Sequence, residues 1–268
     1  MNRITIEEAK KAFIDIWGGL SAFQVWYSLG KIELIQKYRR STLGPFWGVI
    51  NTLVQAAVTG FIFSFLFKID LQKFLPYLCI GLIIWNLLMN SINESSNTFV
   101  SNGAILLQVK RPLTTYIYLT IWRNLIIFFH SLVGFFIVAL IFKIYPTTTY
   151  FLIPLGLGIL LLNITWMCLL VSLISARFRD IPLIIQNGFS VLIWLTPVYY
   201  NLDQLSSVPR KIVDLNLFTY IFEVARSPFM NVIPPASTWI IALMSAAVGW
   251  FITILLFIKL RSRVTFWI

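Results

Sequence analysis

The stretch Phe46–Phe67 runs 22 residues without a charge. As a helix it would reach about 33 Å, enough to cross a hydrocarbon core of about 30 Å. Five further stretches have the same character. Residues 74–98 carry only Glu94, residues 124–142 are uncharged unless His130 ionises, and 150–176, 181–200 and 236–258 complete the set. None alternates apolar with polar residues as a membrane barrel strand does. The expected fold is therefore an all-α integral membrane protein with six transmembrane helices.

Composition agrees. A chain of 268 residues that is 59% hydrophobic and 12% charged has more apolar surface than one water-soluble core can hide. Its formal charge of +11 is scattered in ones and twos, without the basic face that nucleic acid requires, so lipid headgroups are the expected anionic neighbours. Cys79 and Cys168 lie in apolar runs without ligand-like neighbours, which points to packing and away from a disulfide scaffold or metal site. The first apolar run starts too late and is too long for a cleavable signal peptide. With both termini in the cytoplasm, 15 Lys and Arg fall inside and 6 outside, the orientation favoured by the positive-inside bias.

Residues 1–45 are expected to form a cytoplasmic, interfacial segment. Thr5 and Glu8 have capping-box spacing, and Ile6, Ala9, Phe13, Ile16, Trp17 and Leu20 recur at helical steps opposite Glu7, Glu8, Lys10, Lys11 and Asp15. This is the pattern of an amphipathic helix lying in the membrane interface, or of a soluble helix docked on another subunit. A second amphipathic stretch over 22–38 leads to Arg39 and Arg40, which pin the inner mouth of the first span. Gly44 then permits a turn and Pro45 starts the helix without wasting a donor. Residues 46–258 form the six-span domain and 259–268 a cytoplasmic tail.

Polar residues inside the spans fall into rows. Asn86, Asn90, Asn93, Glu94, Asn97 and Ser101 share about one quadrant of the second span, and Gly48, Asn51, Thr52, Gln55 and Thr59 form a similar arc on the first. Amides left facing lipid would lack partners, so both rows should face protein or water. They would either wall a channel, exchanging hydrogen bonds with passing hydroxyls, or bond across helix interfaces. Trp194, Tyr199 and Tyr200, near the outer end of the fifth span, are candidate channel aromatics. Trp47, Tyr145, Tyr150 and Trp239 are interface anchors. Residues 201–235 are too apolar for a plain loop. Within them, 206–215 and 217–226 are expected to form short helices, too short to span and parted near Asn216, tolerated only where protein or a wet cavity shields their ends.

Four motifs in this order, YRRSTLGPFWG at 38–48, SNGAILLQVKRPL at 101–113, ARFRD at 176–180 and NLFTYIFEVAR at 216–226, resemble the permease subunits of ABC-2 type exporters. The similarity is strongest to the branch moving lipid-linked polysaccharides such as O-antigen, capsule-type chains and teichoic acid. Two departures stand out: Leu217 replaces the proline that often follows the Asn of the last motif, and the tail ends VTFWI in place of an acidic motif.

The resemblance implies a homodimer served by two separate nucleotide-binding ATPase subunits, which would hold the ATP and Mg. This chain would bind no cofactor or metal of its own. Gly30-Lys31, its one Gly-Lys pair, lacks the upstream glycine of a phosphate-cradling loop. The resemblance places an ATPase coupling helix around 103–112, with Ile105, Leu106 and Val109 as apolar knobs and Lys110 and Arg111 as a charged edge; an ordinary cytoplasmic loop is the plainer alternative. It places outer gate helices at about 203–232, with Phe222, Glu223 and Arg226 near the lip. Lys37, Arg39 and Arg40 sit at headgroup depth, where arginine forks match the diphosphate of a polyprenyl carrier; simple anchoring explains them as well.

The expected function is thus the permease of an ATP-driven exporter in the bacterial inner membrane, with O-antigen as the first candidate cargo. A membrane enzyme acting on lipid-linked sugars is the rival. It is disfavoured because His130 sits mid-span without a nearby acid and no D-x-D pair is present to hold a metal-sugar nucleotide. An ion-driven transporter would need more intramembrane charge than Glu94 supplies.

Overall fold

The structure is a computed structural model, described here for residues 6–44, 46–202 and 206–268. Thr5 of the capping box, Pro45, and the first residues of the expected gate segment, 203–205, lie outside the described residues. All regular structure among the described residues is helical, in eleven α-helices and short 3-10 turns.

Two helices precede the first long apolar one: α1 (Ile6–Ser21) and α2 (Phe23–Tyr38). The buried face of α1 is Ala12, Asp15 and Gly19, while Phe13, Trp17 and Leu20 stay exposed. Asp15, grouped by pattern with the water-facing residues, is therefore inside. It accepts hydrogen bonds from the Thr114 backbone N–H and hydroxyl, both at 3.1 Å, and from Arg261 Nε at 2.7 Å. A buried carboxylate survives only with such partners. Here the partners fasten the N-terminal helix to the start of one long helix and the end of another.

Among the described residues, five helices are long and apolar enough to cross a membrane: α3 (Phe46–Phe67), α4 (Leu71–Ser101), α6 (Thr114–Ile141), α7 (Ile153–Arg177, preceded by a 3-10 turn from Thr148) and α11 (Ala236–Trp267). Gly44, at φ +53°, makes the turn before α3, in a region of backbone space open to glycine at little cost. Asp70 caps α4 by accepting from the Gln72 N–H at 3.0 Å. The fifth expected span is shorter than its apolar run. Helix α8 (Ile181–Leu195) covers 15 residues, about 22 Å. It stops because Pro197 forces Thr196 into extended backbone, φ −99° and ψ 139°.

Three helices are short: α5 (Gly103–Gln108), α9 (Ser207–Leu215) and α10 (Leu217–Arg226). The expected break between the last two falls at Asn216, whose side chain accepts from the Phe218 N–H at 3.0 Å. Helix α4 lies at the centre, packed against α3, α6, α7, α8 and α10, with Trp85 and Leu88 fully enclosed. Helix α7 is seamed to α11 through Asn163, which donates to the Ala242 carbonyl at 3.1 Å and accepts from Ser245 at 2.9 Å. One end of the bundle carries α1, α5 and the end of α11, and is called the terminal end below. The far end carries α9, α10 and the start of α11.

Candidate functional site

Helix α4 is buried nearly all the way round, and that makes its open flank informative. Between Leu78 and Phe99, every residue is buried except Asn86, Met89, Asn90, Asn93, Glu94 and Asn97. At 100° per residue these span about 140° of the helix surface. The row expected from the sequence thus coincides with the open flank. Its amides are poorly answered within the chain: Asn86 and Asn90 side chains make no hydrogen bond to the described residues, and Asn93 Oδ1 is buried without a partner. Asn97 reaches only the Ser96 hydroxyl, at 3.4 Å. An unmet amide costs about 1–3 kcal/mol, so this flank calls for water, a second protein surface or a hydroxyl-bearing ligand.

The arc on α3 divides. Asn51 is exposed and Thr59 half-buried, while Thr52 turns its hydroxyl back to the Gly48 carbonyl at 2.9 Å. Gln55 donates to Tyr199 Oη at 3.4 Å, and the Tyr199 ring lies 4.9 Å from the ring of Trp194. Tyr200 donates to the Trp194 carbonyl at 3.1 Å, and Tyr77 donates to the Tyr200 carbonyl at 2.8 Å. The three candidate channel aromatics therefore form one cluster with Gln55, which the sequence placed in a different row. Trp194 remains 58% exposed. Tyr77, which fastens the cluster to α4, stands nine residues from Asn86, on the opposite side of that helix. The amide row and the ring cluster thus meet α4 on different flanks.

Toward the terminal end, Glu94 turns out to be paired. Arg123 Nη2 donates to Glu94 Oε2 at 2.9 Å, and Asn124 donates to the same oxygen at 2.7 Å. Arg123 Nη1 pairs in turn with Glu33 of α2. Sequence reasoning ended the third span's uncharged run at Arg123 and so missed this triad. The available signal was a lone basic residue and a lone acidic one inside neighbouring helices, each in need of a partner. The triad borders a cavity of about 420 Å³ between α2, α4 and α6, whose wall also includes Gln36, Lys37 and Ser101. Tyr38 is close by. Burial first, and then the charge of Glu94, push its phenol above the usual value, so it stays protonated. Arg39 and Arg40 follow α2 as exposed residues outside the cavity, whereas Lys37 lines it.

The expected coupling residues lie on and just after α5. Ile105 is 51% exposed, Val109, Lys110 and Arg111 are exposed, and Leu106 is buried as the helix's anchor. Leu107 adds an exposed apolar residue that the sequence reading passed over. At the far end, the three expected gate residues lie together inside the subunit. Arg226 is 2% exposed, pairs with Glu223, donates to the Pro197 carbonyl at 2.6 Å, and lies 3.9 Å over the Tyr77 ring and 4.6 Å over Phe222. Phe222 is fully enclosed, 6.5 Å from Trp85 by ring centre. His130 Nδ1 donates to the Ile126 carbonyl at 2.7 Å, a hydrogen bond along its own helix. Cys79 and Cys168 are buried free thiols, and the described residues contain no group of three or more metal-ligating side chains.

The model of the ABC-2 type transporter family matches residues 24–230, which include all of α2 but its first residue, the amide row, the cavity and the Arg226 cluster. Among curated proteins, two O-antigen export system permease proteins RfbA from Klebsiella pneumoniae are 22% and 21% identical over 203 residues. Each alignment covers 74% of this chain and 77% of the relative. A protein of the same description from Myxococcus xanthus is 24% identical over 178 residues, 66% of this chain and 68% of the relative.

Proposed function

Since the chain belongs to the ABC-2 type transporter family, we propose that it is the permease subunit of an ATP-driven exporter carrying a polyprenyl-diphosphate-linked polysaccharide, O-antigen first, across the bacterial inner membrane. The observation that carries this reading is the open amide flank of α4, a row of unanswered hydrogen-bonding groups on the most enclosed long helix of the bundle. Such a row suits a cargo made of hydroxyls, because each amide offers both a donor and an acceptor and demands no fixed pattern. The similarity to proteins described as O-antigen export permeases agrees with that chemistry.

In this reading the chain crosses the membrane six times, with α8 and the segment after it as the fifth crossing and both termini in the cytoplasm. Two copies enclose the path, each presenting the α4 row, Asn51, Gln55 and Thr59, and the rings of Trp194, Tyr199 and Tyr200. Two ATPase subunits dock on α5 and residues 109–111, supplying ATP and Mg, and this chain holds no cofactor. Arg39 and Arg40 receive the carrier's diphosphate, and Lys37 lines the cavity beside them. The cluster of Phe222, Glu223 and Arg226 sets the position of the outer gate.

Deleting the gene tests the reading. Surface polysaccharide should disappear, lipid-linked polymer should accumulate inside, and the wild-type gene should restore export. A tagged chain should co-purify a soluble ATPase, and Arg40→Lys should impair export while leaving insertion intact. Unchanged surface polysaccharide in the deletion strain would contradict the reading.

A further inference from the structure

We propose that the cavity between α2, α4 and α6 is a binding subsite for a single neutral sugar ring, recognised through its hydroxyl groups. This rests on the exporter reading and narrows it, because it separates recognition of sugar from recognition of phosphate. The wall carries two acids, Glu33 and Glu94, and two bases, Lys37 and Arg123, so it is neutral overall. Arg123 is already spent on both acids. A diphosphate would find no surplus positive charge.

Hydrogen-bonding capacity points the same way. Among the described residues, both acids are engaged through Oε2 only, leaving Glu33 Oε1 and Glu94 Oε1 without a hydrogen bond. An ionised carboxylate only accepts, and an ionised phosphate also only accepts, so the two repel and cannot bond. A sugar hydroxyl donates to the carboxylate and still accepts from a neighbour. Donors are present for that second half: the Gln36 amide, which has no side-chain partner among the described residues, and the Lys37 ammonium. The cavity's volume of about 420 Å³ lies in the range of small-molecule sites, about 300–1,000 Å³. Arg123 and Asn124 hold Glu94 in place, so its free oxygen is presented in a fixed direction. The exposed pair Arg39 and Arg40 lies outside the cavity, which leaves phosphate recognition to them.

The test uses the full-length chain in lipid nanodiscs, with methyl glycosides of glucose, galactose, N-acetylglucosamine and rhamnose as probes, read by saturation-transfer NMR. At least one glycoside should bind, and inorganic pyrophosphate in excess should not displace it. Gln36→Leu removes a donor that makes no side-chain hydrogen bond among the described residues and should weaken binding about tenfold. Ser101→Trp, from the rim, should abolish it by filling the space. The proposal is overturned if no glycoside binds, if pyrophosphate competes, or if both variants bind as the parent does. Restoration of surface polysaccharide in the deletion strain keeps the two readings apart. If no probe binds yet the wild-type chain restores export, the subsite alone is wrong; if export is not restored, the exporter reading fails first.

Discussion

Arg226 at the far end and Arg123 toward the terminal end both sit among helices and both pair with glutamate, yet their surroundings differ. Arg226 is sealed at 2% exposure, with its charge spread over Glu223, the Pro197 carbonyl and two aromatic faces. Arg123 keeps 21% of its side chain exposed and borders a cavity. A sealed cation, paired on every side, has no capacity for a passing ligand and serves to hold the chain break at Thr196–Pro197 against α4 and α10. An open one, flanked by carboxylate oxygens not yet in use, retains that capacity. The same pairing of residue types thus does mechanical service at one end and offers recognition at the other.

The contrast can be broken most sharply at the sealed end. Arg226→Ala leaves Glu223 without its cation and should destabilise the protein by about 3–5 kcal/mol, read as a large fall in melting temperature in detergent. A marginal shift would mean that water already reaches the cluster. Gly156→Val comes next. A Cβ at Gly156 would stand 2.3 Å from the Val224 carbonyl oxygen, which is backbone and cannot swing aside. The expected cost is about 1–3 kcal/mol, with α10 pushed away from α7.

At the open end, Arg123→Ala should cost less, about 1–2 kcal/mol, because water in the cavity can solvate the two released carboxylates. Its main effect should instead be loss of export at normal protein level in the membrane. Smallest is Ser227→Ala, which removes one hydrogen bond to Glu223 Oε2 at 2.8 Å and should cost about 1 kcal/mol without changing transport. A Ser227→Ala variant that lost export while remaining folded would erase the distinction between the two ends.

Much of the fold was legible because a bilayer leaves so few choices. The first span falls on Phe46–Phe67 as read, since the Gly44-Pro45 pair precedes its apolar run and Lys68 follows it, and the break at Asn216 follows from local capping chemistry. Other boundaries moved for physical reasons. Helix α6 begins ten residues before the expected 124, because Arg123, read as an end marker, is neutralised inside the helix by Glu33 and Glu94. Helix α11 continues through Lys259, Arg261 and Arg263 to Trp267, since Arg261 finds Asp15 across the fold. Such pairs, 90 and 246 positions apart in sequence, leave no trace in local pattern.

The candidate site was legible where it depended on one helix and hidden where it depended on several. Spacing alone set Asn86, Asn90, Asn93, Glu94 and Asn97 on one flank of α4. No periodicity could reveal that Glu94 is shared with Arg123, that Gln55 meets Tyr199, or that Lys37 lines a cavity while Arg39 and Arg40 lie outside it. Both polar rows looked alike as sequence. Only packing distinguishes α3, which lies largely at the periphery, from α4, which nearly every other long helix touches.

The central claim is that the amide flank of α4 borders the aqueous route of the cargo. Cysteine accessibility measures it directly, on a favourable background, since Cys79 and Cys168 are both fully buried. In membranes, Asn90→Cys should react with a charged, membrane-impermeant thiol reagent and lose export on modification, while Phe251→Cys on the exposed side of α11 should react only with a lipid-soluble one. If Asn90→Cys instead resists the charged reagent and yields only to the lipid-soluble one, that flank faces acyl chains and the account is wrong.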